Sequence, residues 1–169
     1  MRAKLGLMVL CAVALLSLHS VLAVAAQLGP AVGKVSPKLI GRTLDGKLYR
    51  LAADKAGPKV INFFWVECQP CKKEMPELAE MEKTYKKVKF ISVHTQEEPV
   101  QIVQQFINKL AGAPSTIVLT SGSLKETFEY AGLPHTMVLD QNNIVLANFV
   151  GYTTENMQQL KKLLDDLNK

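Results

Sequence analysis

The chain is predicted to fold as an α/β domain with a central mixed β-sheet flanked by helices and an N-terminal β-hairpin. Three observations carry this. Lys59 to Trp65 is a nearly continuous run of strand formers, the pattern of a strand covered on both faces. Further β-type runs alternate with segments whose apolar residues recur at helical spacing, as crossover helices between parallel strands require. A second hairpin and an amphipathic helix then close the sequence.

At 169 residues the chain suits one compact domain with a sizeable core. It opens with Arg2 and Lys4, a long apolar run, and the small residues Ala23, Ala25 and Ala26, the layout of a secretory signal. Residues 1–26 are therefore expected to be a cleaved signal peptide and 27–169 the folded domain. An uncleaved anchor is the competing expectation, since Leu5 to Ala26 as a helix would reach roughly 33 Å. Ser17, His19 and Ser20 interrupt that span and favour cleavage.

Gln27 to Lys38, with Gly29, Pro30, Gly33 and Pro37, reads as an extended lead-in. Leu39 to Leu51 surrounds Asp45-Gly46, a dipeptide favoured in tight turns, and is expected to form the hairpin. After the central strand a helix is expected from Pro70, with Cys71, Met75, Leu78, Met81 and Tyr85 on one face. Pro76 removes a ladder hydrogen bond inside it, at a cost of about 3 kcal/mol. Val88 to Val93 reads as a strand, and Glu97-Glu98-Pro99 introduces a helix with Val103, Phe106, Ile107 and Leu110 buried. Thr116 to Leu119 is a short strand and Ser123 to Ala131 a short helix. His135 to Asp140 and Ile144 to Val150 make the second hairpin, and Thr153 or Thr154 caps the last helix. The alternation predicts a sheet that is mainly parallel.

Composition is that of an ordinary globular protein, 48% hydrophobic and 21% charged. The net charge of +5 falls to +3 if Arg2 and Lys4 leave with the signal, and no basic stripe interleaved with aromatics remains. That argues against a nucleic-acid partner. Of three cysteines, Cys11 lies in the apolar leader, so the domain keeps Cys68 and Cys71. A pair this close in sequence closes too small a loop to stabilise much, and redox chemistry is the stronger explanation. The first cysteine of a strand-to-helix turn meets unpaired amides and the positive end of the helix dipole, which favour a thiolate. A closed metal site needs four ligands, and the domain could offer only the two cysteines with His94 and His135 at irregular spacing, so neither a metal nor a cofactor is expected.

Asn62, Phe63, Cys68, Pro70, Cys71, Lys72, Glu74, Pro76 and Leu78, followed by Gly132, Pro134, Thr136, Asp140 and Gly151, resemble the pattern of the thioredoxin superfamily, narrowly its TlpA/ResA-like exported thiol-disulfide oxidoreductases. The resemblance spans essentially the whole expected domain and implies a thioredoxin-like fold. It departs from the pattern at Phe64 and Trp65, at Glu67 where the family has tryptophan, and at Asn142-Asn143 where it has a glycine turn.

The resemblance implies Cys68 as nucleophile and Cys71 as resolving thiol. It also implies Glu74 as proton carrier, a role its place beside the apolar stripe supports, because burial raises a carboxyl pKa. Pro134 is implied to be a cis-proline facing the thiols, with the Leu133 backbone offered to a substrate. Trp65, Glu67, Gln69 and Pro70 are further substrate-binding candidates. Glu67 should disfavour the Cys68 thiolate, while Lys72, Lys73 and the helix end should favour it. The expected partners are protein thiols or disulfides and a membrane thiol-electron transporter, with the protein a monomer in the bacterial periplasm. Reduction of substrates is the expected direction, apocytochrome c being one candidate. Oxidase or isomerase activity, or a copper module using Cys68, Cys71 and His135, are the alternatives.

Overall fold

The computed structural model describes residues 29–122 and 124–169; the expected signal, the boundary after Ala26, Cys11 and Ser123 lie outside them. Seven strands form one sheet: β1 (Ile40–Thr43), β2 (Leu48–Arg50), β3 (Lys59–Phe64), β4 (Lys89–His94), β5 (Thr116–Leu119), β6 (His135–Leu139) and β7 (Val145–Val150). Four helices accompany them: α1 (Gln69–Thr84), α2 (Val100–Lys109), α3 (Lys125–Phe128) and α4 (Thr154–Leu167). The spatial order is β2-β1-β5-β4-β3-β6-β7, so β3, the expected central strand without Trp65, has neighbours on both sides and every residue buried.

The sheet is mixed, but not mainly parallel. Only β3–β4 and β4–β5 run parallel, whereas the two hairpins add antiparallel pairings at β1–β2, β1–β5, β3–β6 and β6–β7. Alternation along the chain describes the crossovers and is silent on how a hairpin docks.

Because β3, β4 and β5 step in one direction, right-handed crossovers place α1 and α2 on the same sheet face. Val60 and Phe64 of β3 point there. Val60 packs with Leu78, Met81, Leu160 and Leu164 of α1 and α4, and Phe64 packs with Cys71, Met75, Val103 and Phe106 of α1 and α2. Ile61 and Phe63 point the other way, into a core with Leu39, Tyr49, Phe128 and Met137. Each fully buried side chain of this kind contributes about 1.5–3 kcal/mol. The buried face of α1, Met75 to Met81, offsets the missing amide of Pro76, and the helix runs through it.

Three local outcomes differ from the patterns. The expected Ser123–Ala131 helix is confined to Lys125–Phe128, because Glu129 adopts a left-handed conformation (φ 49°) that ends the turn. The lead-in is not merely extended: Gly33 and Ser36 N–H donate to Val145 and Asn143 O, and Val35 bridges Ile144. In the β6–β7 turn Asn143 takes the left-handed conformation (φ 62°), while Asp140 Oδ1 accepts the Asn142 and Ile144 amides.

Candidate redox site

The redox turn begins where β3 ends. Cys68 N–H donates to Trp65 O at 3.0 Å, and Cys68 then serves as N-cap of α1, its Sγ accepting the Cys71 amide at 3.2 Å. A sulfur at the N-cap takes the place an oxygen usually fills, meeting an otherwise orphaned donor at the positive end of the helix. Pro70 sits in the first turn, where it wastes no hydrogen bond. Cys68 and Cys71 form a disulfide with Cα atoms 5.3 Å apart. Their exposures differ: Cys68 is half-buried, while Cys71 is fully buried against Phe64 and Met75.

One helical turn beyond Cys71, on the same buried face, lies Glu74, 2% exposed. Its Oε2 accepts Asn62 Nδ2–H at 2.6 Å and its Oε1 accepts Thr136 Oγ1–H at 3.1 Å. Asn62 Nδ2 also reaches Thr136 Oγ1 at 3.1 Å, and Ser92 Oγ donates to Asn62 Oδ1 at 3.4 Å. The network follows the sheet register, since Ser92 and Thr136 are the partners of Asn62 on β4 and β6. Burial pushes the Glu74 pKa up to about 7, against the two hydrogen bonds, which stabilise its ionised form. When Glu74 is protonated, its hydroxyl can donate to Thr136, whose own hydrogen rotates away.

Across the sheet the Leu133–Pro134 peptide bond is cis, immediately before β6. Pro134 is buried and its carbonyl accepts the Gly151 amide at 2.8 Å. The N–H and C=O of half-buried Leu133 have no backbone partner among the described residues. Glu67, Gln69 and Pro70 are exposed around the turn. Trp65 is half-buried and turned toward the β4–α2 loop, where its indole N–H donates to Glu98 Oε1 at 3.1 Å.

The histidines stand apart from the thiols. His135 pairs with Phe63 and shares its face of the sheet, opposite Glu74. Its Nε2 contacts Asn148 Oδ1 at 3.2 Å, and since Asn148 Nδ2 donates to Pro30 O, that oxygen accepts and Nε2 carries the hydrogen. Burial lowers the His135 pKa, keeping the ring neutral. Of the two readings its strand-start position suggests, surface or hydrogen-bonded, the second is the one seen: the ring is buried, bonded to Asn148 and sealed by the lead-in, with Gly29 packed against it. His94, 1% exposed, faces Glu98. Among the described residues no three His, Cys, Asp or Glu side chains are placed to share a metal ion, so Cys68, Cys71 and His135 are not brought together as a copper site.

Thr136, one of the residues that carry the family resemblance, and Ser92, which no pattern singles out, complete the Glu74 network; neither is legible as a member of it, because strand register is not written in residue spacing. The roles of Glu98 and His94 are likewise not legible, although Glu98 directly precedes the proline that introduces α2.

Comparison with known proteins extends this geometry. Residues 28–167 match the Redoxin family. The thiol-disulfide oxidoreductase ResA of Bacillus thuringiensis (strain Al Hakam) is 28% identical over 137 residues, 78% of each chain. StoA from Bacillus subtilis is 27% identical with a TM-score of 0.59, over 79% of this chain and 98% of that one. A thiol:disulfide interchange protein of the thioredoxin family from Chlorobium tepidum TLS shares the fold, with a TM-score of 0.66 at 21% identity over 83% and 99% of the two chains. The chain belongs to the Redoxin family and is a TlpA/ResA-like thiol-disulfide oxidoreductase of the thioredoxin superfamily.

Proposed function

We propose that the protein is an exported reductant that exchanges its Cys68–Cys71 pair with disulfides of polypeptide substrates. The observation that carries this is the asymmetry of the pair: a half-exposed sulfur capping a helix, and a sealed one a turn away from a buried carboxyl. In the reduced protein the Cys68 thiolate attacks a substrate disulfide. That S–S bond breaks, a mixed disulfide forms, and one substrate thiolate leaves to take a proton from water. Glu74 then accepts the Cys71 proton, and the Cys71 thiolate attacks Cys68 Sγ, releasing the second substrate thiolate. The substrate has gained two electrons and the protein ends as the disulfide.

The free Leu133 N–H and C=O support strand-like pairing with an extended substrate segment beside Pro134. Trp65, Glu67, Gln69 and Pro70 form the rim that the substrate meets. Residues 1–26 act as the signal and 27–169 as a monomeric domain in the bacterial periplasm, where a membrane thiol-electron transporter returns the pair to the dithiol. Apocytochrome c thiols are one substrate class of matching chemistry.

Cys68→Ala is expected to abolish reduction of insulin disulfides, and retained activity would remove Cys68 as nucleophile. The reduction potential tests direction. A value near that of thioredoxin, about −270 mV, supports a reductant, and one near that of the periplasmic oxidant DsbA, about −120 mV, would reverse the assignment to an oxidase.

A further inference from the structure

The sole tryptophan, Trp65, is tied at both ends. Its carbonyl accepts the Cys68 amide, and its indole N–H donates to Glu98 Oε1. The other carboxylate oxygen, Oε2, faces His94 Nε2 at 3.2 Å, off the line of a good hydrogen bond, and neither atom has another hydrogen-bond partner among the described residues. The ring's opposite nitrogen decides what this contact means. His94 Nδ1 meets Gln96 O at 2.9 Å, and a carbonyl can only accept, so Nδ1 carries a hydrogen. A neutral His94 would therefore point its Nε2 lone pair at a carboxylate oxygen, which is repulsive. One proton between Nε2 and Oε2 turns the repulsion into an ion pair in a site with little water.

We infer that Glu98 is a positioning residue for the redox turn, clasping the Trp65 indole, and that a proton shared with His94 closes the clasp. The inference deepens the assignment of Cys68 as the attacking thiol and rests on it, because the clasp acts on that thiol's own turn and on the rim that meets the substrate. With the proton lost to solvent, Oε2 is repelled, Glu98 turns toward water, and the indole loses its acceptor.

The surroundings leave this pair to set its own charge. His94 lies between Phe64 on β3 and Leu119 on β5, with Phe64 edge-on to its ring. Thr120 donates to its backbone carbonyl. On the β4–α2 loop Glu97 is exposed, and Arg42 of β1 lines the same surface hollow as Glu98 while donating Nη1–H to Gly46 O. Burial lowers the His94 pKa from its ordinary 6.5, and Glu98 is the charged group that opposes this. The clasp is thus closed in acid and opens as pH rises through a point below 6.5.

The test uses Trp65 emission, free of any other indole, in the oxidised full-length domain between about pH 5 and 8. The wild type is expected to show a transition with its midpoint below the ordinary histidine value. Glu98→Gln can accept from the indole with its oxygen and donate to neutral His94 with its amide. It should hold the acid spectrum throughout, while Glu98→Ala should hold the open one. The KM for a protein disulfide should rise about tenfold in Glu98→Ala, the size of one charge-assisted hydrogen bond, and recover in Glu98→Gln. A wild-type spectrum without a transition, or a Glu98→Gln transition like the wild type's, would overturn the inference. The emission readout needs no turnover, so its failure is separate from a failure of Cys68→Ala to abolish activity.

Discussion

A carboxyl held between an amide and a hydroxyl, out of water, keeps its proton almost to neutrality. Glu74 is such a group, and its elevation from 4.5 to about 7 has consequences for stability as well as chemistry. The fold favours its protonated form, so its contribution is complete below about pH 4.5 and is lost as pH rises to about 7. The loss amounts to roughly 3 kcal/mol. Glu74→Gln, which can make both hydrogen bonds, should flatten this slope in pH-dependent urea unfolding. The same variant should change the pH dependence of Cys71 titration in the reduced protein; superimposable curves would remove Glu74 from the mechanism. Thr136→Val removes a donor that stabilises the carboxylate and should raise the Glu74 pKa further, read by NMR titration. Helical spacing alone places Glu74 beside the buried stripe. Its partners are not legible, because Asn62, Ser92 and Thr136 meet through register across three strands.

At the scale of elements, the helix ends are the most legible features. Thr153 caps α4, its hydroxyl accepting the Asn156 amide at 3.0 Å. Thr153→Ala should cost about 1 kcal/mol in denaturant unfolding and leave thiol exchange intact. Cys68 obeys the same capping logic, with sulfur in place of oxygen, which is why a strand-turn-helix pattern suffices to locate it. The short strand Thr116–Leu119 is seen with the same bounds as its apolar pattern. The short helix near Phe128 is not, since its end depends on one left-handed residue, Glu129, for which no glycine or asparagine gives warning. The direction of the hairpins is equally hidden, because antiparallel docking onto β5 and β3 depends on the far ends of the chain.

For the whole molecule, the lead-in is the part least visible in composition, since it acts through backbone contacts and one missing side chain. Gly29 adopts φ 120°, and a Cβ there would lie 2.7 Å from the His135 ring and 2.8 Å from Asn148 Oδ1. Gly29→Ala should therefore destabilise the domain by about 1–3 kcal/mol, measured by thermal or urea unfolding. The parallel core and the redox turn need none of this and are legible in apolar runs and a Cys-x-x-Cys spacing.

The lead-in also matters for the outer edge of β7, a strand with no neighbouring strand beyond it among the described residues. Lys34 and Gly33 occupy the backbone groups of Val145 at one end, and the Asn156 side chain caps the carbonyls of Val150 and Gly151 at the other. An exposed strand edge is a template on which another extended chain can pair. With both ends of β7 occupied in this way, less of its outer edge is open to pairing with another chain.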